Sequence, residues 1–152
     1  MMSRFRFERV SDNHLRSVSR DTLLPKKATK HSCAYDFFAN DDVTIQPFSV
    51  TPVWTDCRVR MPHGYMLMLN VRSSMGKHPI MLSNTQGWID ADYYRNPDND
   101  GNICLMFYNI GPHAVSYKRG DRIAQGMFVR HYGPRTARSG KTRTGGLGST
   151  GS

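Results

Sequence analysis

The chain has 152 residues, 38% of them apolar and 22% charged, with a formal charge of +9 at pH 7. That length suits one domain with a sizeable core rather than two. No run of about eighteen apolar residues is available to cross a bilayer as a helix, and residues 1–20 are charged throughout, so a soluble cytoplasmic protein without membrane association is expected.

The basic excess sits at the two ends: Arg4, Arg6, Arg16, Arg20, Lys26, Lys27 and Lys30, then Arg130, Arg135, Arg138, Lys141 and Arg143, with no acidic residue after Asp121. Such a surface concentrates phosphate by counterion release. It lacks the interleaved aromatics of a single-strand track, so specific nucleic-acid binding is not expected; a nucleotide-sized anion or a solvated surface accounts for the charge. Cys33, Cys57 and Cys104 are odd in number and lack metal-type spacing, which suits reduced packing residues.

In chain order, residues 1–23 form a basic extension with no role that the sequence assigns, and residues 12–24 carry a weak helical period through Leu15, Val18 and Leu23. From Val43 onward, short β-branched and aromatic runs recur: VTIQ, VTPVW, CRVRM, GYMLMLNV, PIML, GWIDADYY, NICLMFYNI, AVSY and RIAQGMFV. Pro, Gly, Asn and Asp punctuate them at the spacing of an all-β sandwich or barrel, placed here over residues 24–129. Residues 130–152 carry almost no apolar side chain after Tyr132 and leave the domain as an arm. The arm ends in RTGGLGSTGS, where mobile backbone and Arg143 suit folding over a polyphosphate.

Four internal segments carry chemistry. In AYDFFA, Asp36 stands among aromatics, near a metal or capping a turn. RSSMGK places Arg72, Ser73 and Ser74 after an apolar strand, a donor set for phosphate oxygens that also reads as an ordinary polar turn. NTQGWIDADYY spaces Asp90 and Asp92 for one strand face; a carboxylate facing a polyphosphate serves as general base on water, whereas solvated strand-end acids are the plainer alternative. In YKRGDRIAQGMF, Asp121 and Arg122 suggest a local ion pair, and Gln125 is an amide in an apolar strand that needs a partner.

These segments and the RTGGLGSTG tail, in this order, resemble the five motifs of the trimeric dUTPases, the dUTP diphosphatases. LPKKATKHSCAYD and MPHGYMLMLNVRSS also resemble the family's text ahead of its first and second motifs, so the likeness covers residues 24–152. It implies a distorted jelly-roll, β-clip subunit whose C-terminal arm is exchanged within a homotrimer, with active sites assembled from all three chains. It further implies that Asp90 is the general base for water attacking the α-phosphorus of dUTP, giving dUMP and pyrophosphate. Arg72, Ser73, Ser74, Gln125 and Arg143 would hold phosphates. Asn84, Gly87, Trp88, Ile89, Ile103 and Cys104 would read uracil, with Tyr93 against the deoxyribose. Gly145, Gly146, Leu147, Gly148, Ser149 and Thr150 would form the lid. Mg2+ would be bound mostly by the triphosphate, with Asp36 an outer partner through water.

Two features depart from the family. Leu147 stands where a phenylalanine usually stacks on uracil, a contact worth about 1–3 kcal/mol. YRNPDND, residues 94–100, lengthens a hairpin and predicts an exposed tip. Two other functions compete. A dCTP deaminase would need a glutamate where Met106 stands, and a regulatory, protein-binding member would use the longer hairpin and the basic N-terminus.

Overall fold

A computed structural model describes residues 4–134 and 140–150. Residues 1–3, 135–139 and 151–152, which include Arg135 and Arg138 and belong to the expected extension and arm, lie outside the described residues. The strands are β1 (Arg6–Arg9), β2 (Tyr35–Phe38), β3 (Val43–Ile45), β4 (Val50–Trp54), β5 (Cys57–Arg60), β6 (Tyr65–Asn70), β7 (Ile80–Leu82), β8 (Gly87–Asp90), β9 (Cys104–Asn109), β10 (Val115–Tyr117) and β11 (Arg122–Arg130). Helical turns among the described residues are short 3-10 segments at Asp12–His14, Ser73–Lys77 and Ala91–Tyr93, so no helix is long and apolar enough to cross a membrane.

Every pairing among the described residues is antiparallel. A four-stranded sheet in the order β2-β11-β6-β8 faces a three-stranded sheet in the order β4-β9-β7, with the pairs β1-β5 and β3-β10 alongside, giving the expected all-β jelly-roll. Strict alternation produces the core between the sheets. Leu67 and Leu69 of β6 and Leu105 and Phe107 of β9 point inward, meeting Phe37, Ile45, Val59, Leu82 and Ile123. Gly126 of β11 closes this layer: a Cβ there would stand 2.9 Å from Phe37 and 3.0 Å from Leu67 and Leu69.

The N-terminal segment is built into the domain. Phe5 packs edge-on with Tyr65, Phe7 packs edge-on with Tyr35 and Phe37, both meet Phe128 at a tilt, and Val10 is buried. The helical period over residues 12–24 yields only a single 3-10 turn at Asp12–His14. Backbone N–H groups beyond that turn are taken instead by side chains of the domain: Arg16 and Ser17 donate to Asp56, Val18 and Ser19 to Asp41, and Leu23 to Asn40. These bonds replace the i to i−4 ladder a helix would need.

Four further expectations are corrected. Asp121 does not pair with Arg122; its carboxylate accepts from the Lys118 backbone N–H, while Arg122 reaches Asp36. The strand through Asp90 ends there, and Asp92 lies on a 3-10 turn rather than along the same strand face. Cys33 is exposed and packs no core. The hairpin extension is an exposed tip only in part: Arg95, Pro97 and Asp98 are exposed, whereas Asn96 and Asn99 are 5% exposed and close the loop with their side-chain amides.

Arg58 of β5 pairs with both Glu8 of β1 and Asp100 of that loop. Burial alone would raise both carboxyls. Hydrogen bonds from Tyr94 and Arg58 to Glu8, and from Ser11 and Arg58 to Asp100, outweigh it and hold both below the usual carboxylate range. Stability from these depressed groups is present above the ordinary carboxylate pKa and is lost as pH falls through the lowered one. Thermal melts from pH 7 down to about pH 3 should therefore fall, and Asp100→Asn should be less stable at neutral pH with a shallower acid dependence. Gly126→Ala should lower stability by about 1–3 kcal/mol in denaturant titration, because its methyl group meets rigid core side chains on three sides.

Candidate functional site

β8 is the end strand of its sheet, paired with β6 on one side only. Gly87 is buried and lets β8 approach closely, since a Cβ there would lie 3.2 Å from Leu69. Between β8 and β9 the sheets leave a cavity of about 210 Å3, lined by Ser83, Asn84, Gly87, Trp88, Ile89, Cys104, Met106 and, from the tail, Leu147. Six of the expected base-reading and lid residues therefore converge on one space. Ile103 does not join them. Its side chain is wholly buried, its N–H donates to the Cys57 carbonyl, and its own carbonyl accepts from Thr55, so neither is left for a ligand.

The cavity mouth is shaped by the turn before β8. Thr85 adopts a positive φ of 63°, its N–H bonds to the Leu82 carbonyl, and the exposed Asn84 side chain is left at the rim. Trp88 is 65% exposed and its indole N–H donates to Gln86 at 2.6 Å.

Asp90 ends β8 and stands exposed beside the cavity. Arg143 of the tail lies between the two carboxylates, its Nη2 2.6 Å from Asp90 Oδ2 and its Nε 2.8 Å from Asp92 Oδ1. The same guanidinium stands over the ring of Tyr93, 5.6 Å from its centroid. Tyr93 is buried, and burial holds its phenol protonated above the ordinary value, against the pull of the Asn99 hydrogen bond. In the glycine-rich tail, Ser149 N–H donates to the Gly146 carbonyl at 3.2 Å and Gly148 takes a φ of 74°, a tight turn that presents Leu147 to the cavity.

A second cluster forms across β2, β11 and β6, where register sets Asp36, Gln125 and Asn70 in one row. Arg72 Nε lies 2.9 Å from Asp36 Oδ1, and Arg122 Nη1 lies 3.4 Å from Asp36 Oδ2. Gln125 donates to the Val71 carbonyl at 3.2 Å, while Ser73 and Ser74 stand exposed on the turn that Met75 anchors in the core. Asp36 is thus a strand residue whose oxygens hold two guanidinium groups, not a turn cap. Among the described residues no three His, Cys, Asp or Glu side chains converge on a possible metal position. The donor set fits a cation whose ligands come mainly from phosphate and water.

Asp90 pairs with Met66 and Gln125 with Asn70, so the two clusters lie on opposite sides of β6. Their separation along that strand is about 13 Å at the usual rise per residue. Arg143 joins the Asp90 cluster and not that of Arg72. Residues that the sequence reasoning missed include Ser83 at the cavity wall and Asn99, which grips Tyr93. Asn99 lies in a segment whose composition signals only a turn.

The sequence pattern that defines the dUTPase family matches residues 20–151. The deoxyuridine 5'-triphosphate nucleotidohydrolase of Lactococcus lactis is 36% identical over 135 residues, covering 84% of this chain and 87% of that protein. The fowlpox virus protein of the same name is 30% identical over 113 residues, 74% of this chain and 73% of its own. The crystal structure of dUTPase from Streptococcus mutans superposes with a TM-score of 0.73 at 31% identity, covering 83% of this chain and 95% of that one. A Staphylococcus aureus phage phi11 dUTPase, described with a structural Mg(II) ion, shares the fold at 20% identity and a TM-score of 0.69, covering 90% of this chain and 97% of its own.

The cavity has a built-in probe. Burial pushes the Cys104 thiol up to about 11 and that of Cys57 well beyond the ordinary range. Iodoacetamide at about pH 8 should therefore modify exposed Cys33 first, Cys104 far more slowly and Cys57 only on unfolding, as read by peptide mass spectrometry.

Proposed function

The chain belongs to the dUTPase family, and from that premise we propose that it is a magnesium-dependent dUTP diphosphatase, releasing dUMP and pyrophosphate. The observation that carries this reading is the exposed Asp90 carboxylate that follows cavity-lining Ile89 on β8 and meets Arg143 of the glycine-rich tail, whose guanidinium also stands over buried Tyr93. In the cell, and most simply in the cytoplasm, this activity keeps uracil out of DNA and supplies dUMP for dTMP synthesis.

Uracil presents alternating carbonyl and N–H groups on one edge. The unpaired edge of β8 around Trp88 and Ile89 offers the same alternation in complement, and the Asn84 amide provides one further donor and acceptor. The buried Tyr93 ring lies against the deoxyribose and leaves no room for a 2′-hydroxyl. Leu147 covers the base as an aliphatic cap, carried by Gly145, Gly146, Gly148, Ser149 and Thr150. Cytosine deamination is disfavoured, since Met106 brings a thioether to the cavity and can neither give nor take a proton.

Asp90 takes a proton from a water aligned with the α-phosphorus. The new bond forms from that water oxygen, and the bond from the α-phosphorus to the bridging oxygen breaks, so pyrophosphate leaves. Positioned general bases contribute about 10²–10⁴ in rate. Arg72, Ser73, Ser74 and Gln125 bind phosphate oxygens, with Asp36 holding the Arg72 guanidinium in place. Arg143 exchanges its two carboxylate partners for the γ-phosphate when the triphosphate is bound. Asp36 would be an outer partner, through water, of a Mg2+ carried mainly by the triphosphate, and the cation would supply neutralisation of phosphate charge.

Within one subunit the β8–β9 cavity and the Arg72 cluster lie on opposite sides of β6. A homotrimer, in which one chain's Arg72 cluster faces another chain's Asp90, brings the two halves together, and exchanged arms would seat each tail on this same Asp90 surface of a neighbouring subunit. Pyrophosphate release should be fast from dUTP, slow from dTTP, dCTP and UTP, and lost with EDTA; equal rates on UTP would overturn the role given to Tyr93. Asp90→Asn should lower turnover by about 10² or more while nucleotide binding persists. A chain ending before Arg143 should keep its assembly and melting temperature and lose turnover.

A further inference from the structure

The loop of residues 94–100 is the one departure that the reading above leaves without a task. Its interior is fully hydrogen-bonded. Asn96 Oδ1 accepts from the N–H groups of Asp98 and Asn99, and Asn96 Nδ2 donates to the Tyr93 carbonyl at 2.9 Å. Asn99 Oδ1 accepts from Asn96 Nδ2 at 2.7 Å and from the Gly101 N–H at 3.0 Å. Asn99 Nδ2 donates to the Tyr93 hydroxyl at 2.7 Å, and that hydroxyl gives its proton to the Asn102 carbonyl at 2.9 Å. With its only proton committed, the hydroxyl must accept from Asn99, which sets the amide orientation. The loop is held from below as well, because Asp100 accepts from the Ser11 N–H and pairs with Arg58.

The tail meets this rigid loop at Gly146, which is buried. A Cβ there would stand 2.6 Å from Asn99 Nδ2 and 2.7 Å from Asp98 Oδ2, so only glycine fits. On either side of that contact the tail reaches its other targets, Leu147 at the cavity and Arg143 between Asp90 and Asp92. We infer that the 94–100 loop is the seat of the glycine-rich tail, and that Asn99 is a positioning residue whose single amide holds both the Tyr93 phenol and the register of the tail at Gly146. The inference rests on the dUTP diphosphatase reading for its kinetic consequences and on the loop–tail contact for its structural ones. Sugar discrimination and lid closure are then coupled through one side chain.

Three variants test this in the intact protein. Asn99→Ala should reduce the ratio of kcat/KM for dUTP over UTP by about tenfold, since Tyr93 loses the donor that fixes its ring. Gly146→Ala should raise KM for dUTP about tenfold with the melting temperature unchanged. The double variant should recover part of that KM, because the clashing amide is gone, whereas independent roles would make the two effects add. Should Asn99→Ala unfold, Asn99→Asp keeps the acceptor for Asn96 and Gly101, removes the donor to Tyr93, and should show the same loss of sugar selectivity. Tail seating is read separately, without nucleotide, by trypsin cleavage after Arg143, which Gly146→Ala should accelerate about tenfold and the double variant should slow again. Unchanged selectivity in both Asn99 variants, or unchanged cleavage in Gly146→Ala, would overturn the inference. A wild type that seats its tail but releases no pyrophosphate from dUTP would instead overturn the proposed function.

Discussion

β8 has a neighbour on one side only, and its free edge looks across a gap at β9. A strand edge is a row of unsatisfied donors and acceptors, normally a liability that a protein covers or blunts. Here the edge borders a pocket lined mainly by apolar side chains, with Ser83 and Asn84 as its polar members. Every other part of the site is arranged around it: Asp90 at the strand's end, Tyr93 one turn later, the loop that holds Tyr93, and the tail that covers the opening.

The charges around that edge are paired in a way that keeps a basic chain compact. Arg143 is nearly buried at 9% side-chain exposure, and it is accommodated because two carboxylates meet it. Glu8 and Asp100 do the same for Arg58, while the single Asp36 carboxylate pairs with both Arg72 and the half-exposed Arg122. In each case an acidic residue holds a guanidinium fork at a defined angle, which a lysine would not reproduce. Exposed carboxylates such as Asp90 contribute little to stability by such pairing. The pairing of Arg143 matters for placement, because it leaves the arm docked on the groups with which it shares the proposed chemistry.

The N-terminal segment shows how a sequence pattern misleads. Leu15, Val18 and Leu23 recur at helical spacing, yet Val18 is exposed and beyond the 3-10 turn at Asp12–His14 the segment runs as an irregular strap. Buried Asp56 and neighbouring Asp41 and Asn40 capture its backbone N–H groups, and those acceptors lie more than fifteen residues away along the chain. Periodicity reports local preference, and here distant hydrogen-bond acceptors prevailed over it.

Alternation in β6 and β9, the turn residues between strands and the glycine-rich tail were legible from the sequence because each depends on neighbours within a few residues. So were Asp90, Arg72, Asn84 and Tyr93 as candidates, through the order and text of the motifs rather than any single physical pattern. The tertiary structure alone decided that Ile103 belongs to the core and its neighbour Cys104 to the cavity, since which face of a strand is inside depends on what packs there. It alone gave residues 94–100 a buried, hydrogen-bonded base beneath their exposed tip, because Asn96 and Asn99 are polar by composition and become buried only by meeting Tyr93 and Gly146. Local chemistry is written in the sequence; which groups satisfy one another across tens of residues is settled only when the chain closes on itself.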